Sequence, residues 1–461
     1  MNKKIVIVGA GVAGINAATK LVDNGYPGEL ITIIDKGNDP YNRLPEEVMT
    51  GMLGAGGWSD GKLTYHTAIG GQLAKYCGEE KAMELMKQVV DNFTRFHPKP
   101  EEIFMSDPQE EPEFIKPYFG LRMFPVWHIG SNYLHEIAKT WYQYLVDKGV
   151  KFEWNAEVTE INFEEDYLMF KDTNNWVGKR FYDKLIFAVG KSGIDFAQQL
   201  ADDYQLPNEP KSVQIGVRFE APQKYFQKLI DISYDFKLYQ KFDNVSLRSF
   251  CTNNNAAYVA VEETYGDITY NGHAKKGEEF RNNMTNFGIL MEIKGIENPF
   301  EWSREVVKKC QVKEIQSYNI QSFDLTQEGI ASRGTGNVIQ KGLYYSPKGT
   351  RKPSQTSEND NIKATQIIDL FPIRSAMGKY FNYIEDFINQ MNEVFEFGDD
   401  WGMYIPEVKY LSPEPLVNYD DLSLTEYPNV HFVGDALSAR GITVSGAHGI
   451  YVAEYLLSNS N

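Results

Sequence analysis

Cysteine is scarce, with three in 461 residues, at positions 77, 251 and 310. They share no short spacing, which excludes a disulfide framework and a cysteine-built zinc site. This usage suits a reducing compartment, so a cytoplasmic protein is expected. Histidine is also sparse. Its seven positions (66, 97, 128, 135, 273, 431 and 448) form no HExxH or similar ligand spacing, so no metal is expected. No GxSxG occurs, which removes a nucleophile-elbow hydrolase. Positive charge is outnumbered, 46 Lys and Arg against 63 Asp and Glu, for a net charge of −17. A nucleic-acid binder held by phosphate contacts needs a basic face, so nucleic acid is not an expected partner. No apolar run reaches the roughly 18 residues of a membrane span. Lys3-Lys4 and the apolar stretch after them have the outline of a signal peptide. Glycines at 9, 11 and 14 interrupt that stretch and no small-residue cleavage site follows, so none is expected.

What is present is a large apolar content, 42%, with 28 Tyr and 27 Phe, enough for a sizeable core. Ile5-Val6-Ile7-Val8 reads as a buried strand, Gly9 to Gly14 as a turn, Ile15 to Asn24 as a helix, and Leu30 to Ile34 as a second strand ending at Asp35. This is one βαβ unit. Seven glycines between 51 and 71 mark a loop that a ligand can approach closely. A helical pattern covers 72–96, and the Pro- and Glu-rich residues 97–118 read as an exposed excursion. A helix is expected over Tyr133 to Lys148, a strand and turn over Phe152 to Phe163, and strands over Tyr167 to Phe170 and Leu185 to Val189, the last ending at Gly190. Alternating strand-like pieces near 213–220, 257–262 and 267–272 indicate a second, mixed-sheet region. A polar loop over 346–362 and a helical pattern over 373–395 follow. Val430 to Leu457 returns to strand, glycine turn and helix.

Gly9-Ala10-Gly11-Val12-Ala13-Gly14 is a GxGxxG in its required context, after a strand, opening a helix, with Asp35 21 residues beyond Gly14. Gly9 allows the tight turn. Gly11, without a Cβ, lets a pyrophosphate approach the backbone, and Gly14 lets helix pack on strand. The helix N-terminus offers free N–H groups to the phosphates. Asp35 is expected to accept hydrogen bonds from ribose hydroxyls. The fingerprint serves FAD and NAD alike. The C-terminal Val433-Gly434-Asp435, followed by Gly441 to Gly446 and a helix, favours FAD. An acidic side chain there can bond ribityl or phosphate-side hydroxyls, and the helix N-terminus can face the flavin pyrimidine edge.

On these residues the chain resembles the FAD-dependent oxidoreductases with a glutathione-reductase-type FAD domain. It is most similar to the group of uncharacterised FAD-dependent dehydrogenases. Gly54-Ala55-Gly56-Gly57-Trp58-Ser59-Asp60-Gly61-Lys62-Leu63 is similar to that group's GGAGxFSDGKL, and His128-Ile129-Gly130-Ser131 to the end of its RHxGTD segment. Ile215-Gly216-Val217-Arg218-Phe219-Glu220, Ser249-Phe250-Cys251, Asn271-Gly272 and Gly434-Asp435 with Arg440-Gly441-Ile442 match further motifs of the group. Two departures stand out. Asn253 replaces the second cysteine of SFCMC, so a redox cysteine pair is not inherited. His273-Ala274-Lys275 replaces the residues after Asn-Gly, so the substrate is not inherited either.

The expected fold is α/β, a discontinuous Rossmann-like FAD-binding domain with an inserted mixed-sheet substrate or cap domain. Its parts are residues 1–72, 120–204 and 413–461, with a helical excursion at 73–119 and the inserted domain at 205–412. The expected cofactor-binding residues are Gly9, Gly11, Ala13, Gly14, Asp35, Lys36, Ser59, Asp60, Lys62, Val158, Gly190, Gly434, Asp435, Gly441 and Ile442. The resemblance sets the 54–63 loop against the flavin. His128, His448 and Cys251 are candidates for the chemistry. The expected activity is hydride or electron-pair transfer between an organic substrate and bound FAD. A protein electron donor or acceptor is a second expected partner. No second GxGxxG unit exists for a built-in NAD(P)H domain. Two other readings stay open at this level: an NAD(P)H-dependent reductase or monooxygenase, and a non-catalytic FAD-binding scaffold or redox sensor.

Overall fold

The computed structural model describes residues 3–44, 47–209, 213–264, 267–316, 337–353, 364–409 and 414–459. In chain order the elements that build the site begin with β1 (Ile5–Val8), α1 (Val12–Asp23), β2 (Ile31–Ile34), β3 (Lys62–Thr64), α2 (Glu79–Arg95), β4 (Val126–His128), α3 (Leu134–Asp147), β5 (Lys151–Glu153) and β6 (Lys184–Phe187). They continue with β7 (Val213–Pro222), β8 (Lys237–Lys241), β9 (Val245–Asn255), β10 (Asp267–Ala274), β11 (Met284–Ile293), α4 (Phe381–Phe395), β12 (Gly402–Lys409), β13 (Val430–Phe432) and α5 (Ile442–Ser458).

Two sheets organise the chain. The first has five strands in the order β13-β6-β1-β2-β5, every pairing parallel. All four β1 side chains are buried, as a strand covered on both faces requires. With α1, α2, α3 and α5 this sheet shares one apolar core. The crossover order, with first and last segments in one sheet, makes this a Rossmann-like α/β layer. Helices α1 and α5 cross very closely. A Cβ on Gly449 would lie 2.0 Å from the Ala13 carbonyl oxygen, so only glycine permits this approach.

The second sheet has eight strands and is mixed. Its order is Thr365–Ile367, Leu343–Tyr345, β12, β7, β11, β9, β8 and Gly120–Arg122. Strand β7 shows why it has two different faces. Ile215, Val217, Phe219 and Ala221 are fully buried and join Phe287, Ile289, Met291 and helix α4 in a second apolar core. Gly216, Arg218 and Glu220 alternate with them and so face the other way. Strand β9 carries a bulge: Phe250 pairs with Gly288 and Asn253 with Asn286, so Cys251 and Thr252 oppose a single residue.

Several expectations are corrected. The segment 97–118 is not simply exposed. Phe104–Ser106 pairs with β4, and Ile115 is completely buried in the second core. Gly120–Arg122 pairs with β8, so the boundary set at 119/120 falls within a segment committed to the second sheet. The strand and turn expected over Phe152 to Phe163 are two strands, β5 in the parallel sheet and Ala156–Asn162 in a separate antiparallel one. Strands β9 and β11 are additional to those expected; β11 lacks a two-residue alternation because both its faces are covered. The boundary at 412/413 and the part of the polar loop beyond 353 lie outside the described residues. Among the described residues no helix is long and apolar enough to cross a membrane. Nor does any group of three His, Cys, Asp or Glu there fit a metal ion.

Candidate functional site

A cavity of about 360 Å³ lies where the turns after β1, β2, β6 and β13 meet the polar face of the eight-stranded sheet. The carboxyl ends of parallel strands are where open α/β sheets bind ligands. One wall is largely backbone: Gly9, Gly11, Ala13, Gly54, Gly56, Gly190, Gly434 and Gly441 all line it.

The fingerprint turn is built as its glycines require. Gly9 has φ +107°, and a Cβ there would lie 2.3 Å from the Ala188 carbonyl oxygen. Gly14 is a packing glycine; its Cβ would meet the Gly9 oxygen at 2.2 Å, and it does not line the cavity. Gly11 is different. The nearest protein atom to its Cβ position is 4.0 Å away, so the space above it belongs to the cavity. The glycine loop lies against this turn. Leu53 N–H donates to the Ala10 carbonyl at 2.8 Å, and the loop is held from behind by Arg43. That buried guanidinium donates to the carbonyl oxygens of Glu47, Val48, Met52 and Gly54. Burial lowers its pKa to about 10, which leaves it charged at neutral pH. Arg43 was missed from sequence because nothing local distinguishes an arginine that binds main-chain carbonyls.

Asp35 lines the cavity, but its carboxylate is already engaged. Oδ2 accepts from the Ala10 N–H, and Oδ1 from the N–H groups of Gly37 and Gly51, each at 2.8 Å. Its first role is to tie β2 to the fingerprint turn and the glycine loop, which leaves only its remaining lone pairs for a further donor. Lys36 does not line the cavity; its ammonium donates to the Ser192 carbonyl. Val158 is also outside it, packed into the first core.

At the C-terminal side Gly434, Asp435, Gly441, Ile442 and Ser445 line the cavity. Asp435 pairs with Arg440, with Oδ1 and Nε 3.1 Å apart. Helix α5 begins at Gly441 (φ +100°) with no acidic residue in its first turn, and α1 likewise has none. Two uncompensated helix N-termini therefore open onto one cavity, brought side by side by the Gly449 crossing.

The far wall is charged. Lys62, on β3, has its ammonium 2.9 Å from Asp60 and 3.7 Å from Asp235, and donates to the Thr252 carbonyl. Lys237 pairs with Asp235 at 2.8 Å. These groups are all buried, and the opposite charges outweigh desolvation. The carboxyls of Asp60 and Asp235 are thus held below their ordinary range, and the Lys62 ammonium well above its own. Cys251 sits in the bulge with φ +53° and donates its thiol proton to Asp60 at 2.7 Å. Burial and that carboxylate push the thiol up to about 11, so Cys251 is a proton-bearing donor at neutral pH. Ser59, Asp60, Lys62 and Cys251 all line the cavity.

Neither candidate histidine does. His128 pairs in register with Lys62 but packs between Phe104 and Tyr234, and burial lowers its pKa to about 3. His448 is fully buried beside Tyr76, with no hydrogen bond to either ring nitrogen, and is also lowered to about 3. Both are neutral packing residues; the α5 register turns His448 away from the cavity. Sequence reasoning missed Asp235, Lys237, Arg248, Glu407 and Lys409. Asp235 lies in the turn before β8, and the other four are charged residues on strands, a setting that does not by itself separate a solvated face from a cavity wall.

No protein-family model and no curated protein matches the chain. Solved structures overlap with it loosely. A flavoprotein/dehydrogenase from Cytophaga hutchinsonii aligns at 12% identity and TM-score 0.43, over 99% of this chain and 78% of that one. CmlS, a flavin-dependent halogenase, aligns at 10% identity and TM-score 0.43, over 100% and 59%. The tetracycline destructase Tet(51) aligns at 11% identity and TM-score 0.37, over 100% and 83%. Overlaps this loose say nothing of activity, which has to be sought in the residues of the chain itself.

Proposed function

We propose that this chain is an FAD-dependent oxidoreductase of the dehydrogenase or oxidase type, acting on an organic substrate. The observation that carries this reading is the pairing of two helix N-termini, those of α1 and α5, on one glycine-walled cavity. A nicotinamide dinucleotide needs only the first. A flavin dinucleotide uses both, the first at its pyrophosphate and the second at the pyrimidine edge, where negative charge develops on reduction.

The residues fit such a cofactor. Gly11 leaves open space where a pyrophosphate must approach, and a Cβ on Gly190 would meet nothing within 4 Å. Asp35 holds the adenosine end of the site, and Asp435 stands where a ribityl hydroxyl can donate to it. Bound FAD supplies the hydride and electron chemistry. The protein positions the reactants and fixes protons. Lys62 holds a permanent positive charge at the wall, and Cys251 keeps its proton on sulfur. Among the described residues there is one parallel sheet, which favours reduction by the substrate over a built-in NAD(P)H domain.

The test is the cofactor itself. The purified protein is expected to be yellow and to release FAD on heating. Release of NAD or FMN, or of nothing after attempted reconstitution, would overturn the proposal. NADH and NADPH are each expected to reduce the flavin slowly in stopped flow; fast saturable bleaching at micromolar nicotinamide would move the assignment to a reductase.

A further inference from the structure

The cavity wall opposite the two helix N-termini carries further cations. Arg248 and Lys409 both line the cavity. Strand register explains why they share a face. Glu407, Gly216, Leu290 and Arg248 form one row across β12, β7, β11 and β9, and Lys409 is two residues beyond Glu407.

Their surroundings set them apart from the other cavity cations. Lys62 and Lys237 are held by Asp60 and Asp235, and Arg440 by Asp435. Among the described residues, Arg248 and Lys409 make neither an ion pair nor a side-chain hydrogen bond. The ammonium of Lys409 rests 3.7 Å from the centre of the Phe250 ring, which fixes its place without neutralising it. Burial, and then repulsion from Arg248, Lys191 and Arg440, lower its pKa well below the ordinary lysine value. Lys191 and Arg440 line the cavity from the dinucleotide side.

We propose that Arg248 and Lys409 form a binding site for the anionic group, carboxylate or phosphate, of the substrate, which is therefore an organic acid. The guanidinium offers a planar fork of donors that matches a carboxylate or phosphate, and the ammonium adds a point charge. Lys191 and Arg440 reinforce the field from across the cavity. The cofactor phosphates have their own donors at the start of α1 on the opposite wall. Only the occupant's identity as a redox substrate rests on the proposed function; the anion site does not.

The test is calorimetric titration of the protein as purified with benzoate and, separately, with inorganic phosphate, at constant ionic strength in chloride. FAD content is measured on the same samples. The wild type is expected to bind at least one anion saturably, benzoate pointing to a carboxylate substrate and phosphate to a phosphorylated one. Arg248→Gln and Lys409→Gln are each expected to weaken that binding by about tenfold or more, the loss of a charge-assisted hydrogen bond. Arg248→Lys is expected to recover part of it, and FAD content to stay unchanged in all three. No anion binding by the wild type, or equal binding by both glutamine variants, overturns the proposal. So does a fall in FAD content in both, which would assign these cations to the cofactor's phosphates. The expected anion behaviour in a protein that holds no FAD would support the anion site and overturn the oxidoreductase reading.

Discussion

The guanidinium of Arg218 occupies the space that a side chain on Gly272 would need. A Cβ on Gly272 would lie 1.6 Å from Arg218 Nη2 and 2.1 Å from Asn253 Nδ2. Arg218 is fully buried and also donates to Asn286, Glu407 and the carbonyl of Cys251, the last at 2.8 Å. Three sequence motifs, around Arg218, Cys251 and Gly272, thus meet at one buried cation behind the cavity wall.

Gly272→Ala is expected to displace Arg218 and break this junction. Overpacking costs about 1–3 kcal/mol, and disturbing a buried ion pair adds to it. Chemical denaturation should show a loss of about 3 kcal/mol; a loss below about 0.5 kcal/mol would show that the guanidinium can simply move aside.

Gly11→Val and Gly14→Val are expected to fail in different ways. At Gly11 the new side chain enters the cavity, so the variant should fold with a near-normal Tm and carry no FAD. At Gly14 it strikes the Gly9 carbonyl and Ile7, so folding itself should suffer. Normal FAD content in a folded Gly11→Val protein would mean that the cofactor does not cross this turn.

Lys62→Met leaves Asp60 and Asp235 buried without their shared cation. A loss of about 3 kcal/mol is expected at pH 7. In the wild type these carboxyls have depressed pKa values in the folded state, so their contribution is present above the unfolded value of about 4 and is lost as pH falls. The variant lacks most of that contribution. Stability curves of the two proteins should therefore converge below about pH 4; a gap independent of pH would show that Lys62 acts by packing alone.

His448→Phe tests a buried neutral imidazole. Its folded pKa of about 3 lies below the unfolded value of about 6.5. The unfolded chain therefore takes up a proton first, and stability falls as pH drops from 6.5 towards 3. Phenylalanine removes this term and strands no partner, because neither ring nitrogen has one. The variant should keep FAD, stay within about 1 kcal/mol of wild type at pH 7, and lose less stability at pH 5. Loss of FAD would return His448 to the site.

Cys251 should resist alkylation. A thiol pKa of about 11 makes thiolate more than about a hundredfold scarcer at neutral pH than in a free cysteine. Mass spectrometry after iodoacetamide treatment of the native protein should find Cys251 unmodified. Rapid labelling would show that the proton is not held against Asp60.

By itself the sequence determined the first sheet and its turn. Four consecutive β-branched residues, three spaced glycines and Asp35 at the right distance leave few conformations open, because each constraint is local. The same holds for β7, whose strict alternation of Ile215, Val217 and Phe219 with Gly216, Arg218 and Glu220 marks a two-faced strand. Where the polar face points was decided by tertiary structure alone. Arg248 and Lys409 come from β9 and β12, far apart in sequence, and only the order of the eight-stranded sheet brings them to one wall. His448 and Val158 are expected at the site from sequence, yet helix register and core packing turn them away. Asp35 shows the same limit from the other side: its position was legible, but its backbone partners at Ala10 and Gly51 were not, because hydrogen bonds between distant loops leave no local mark on the chain.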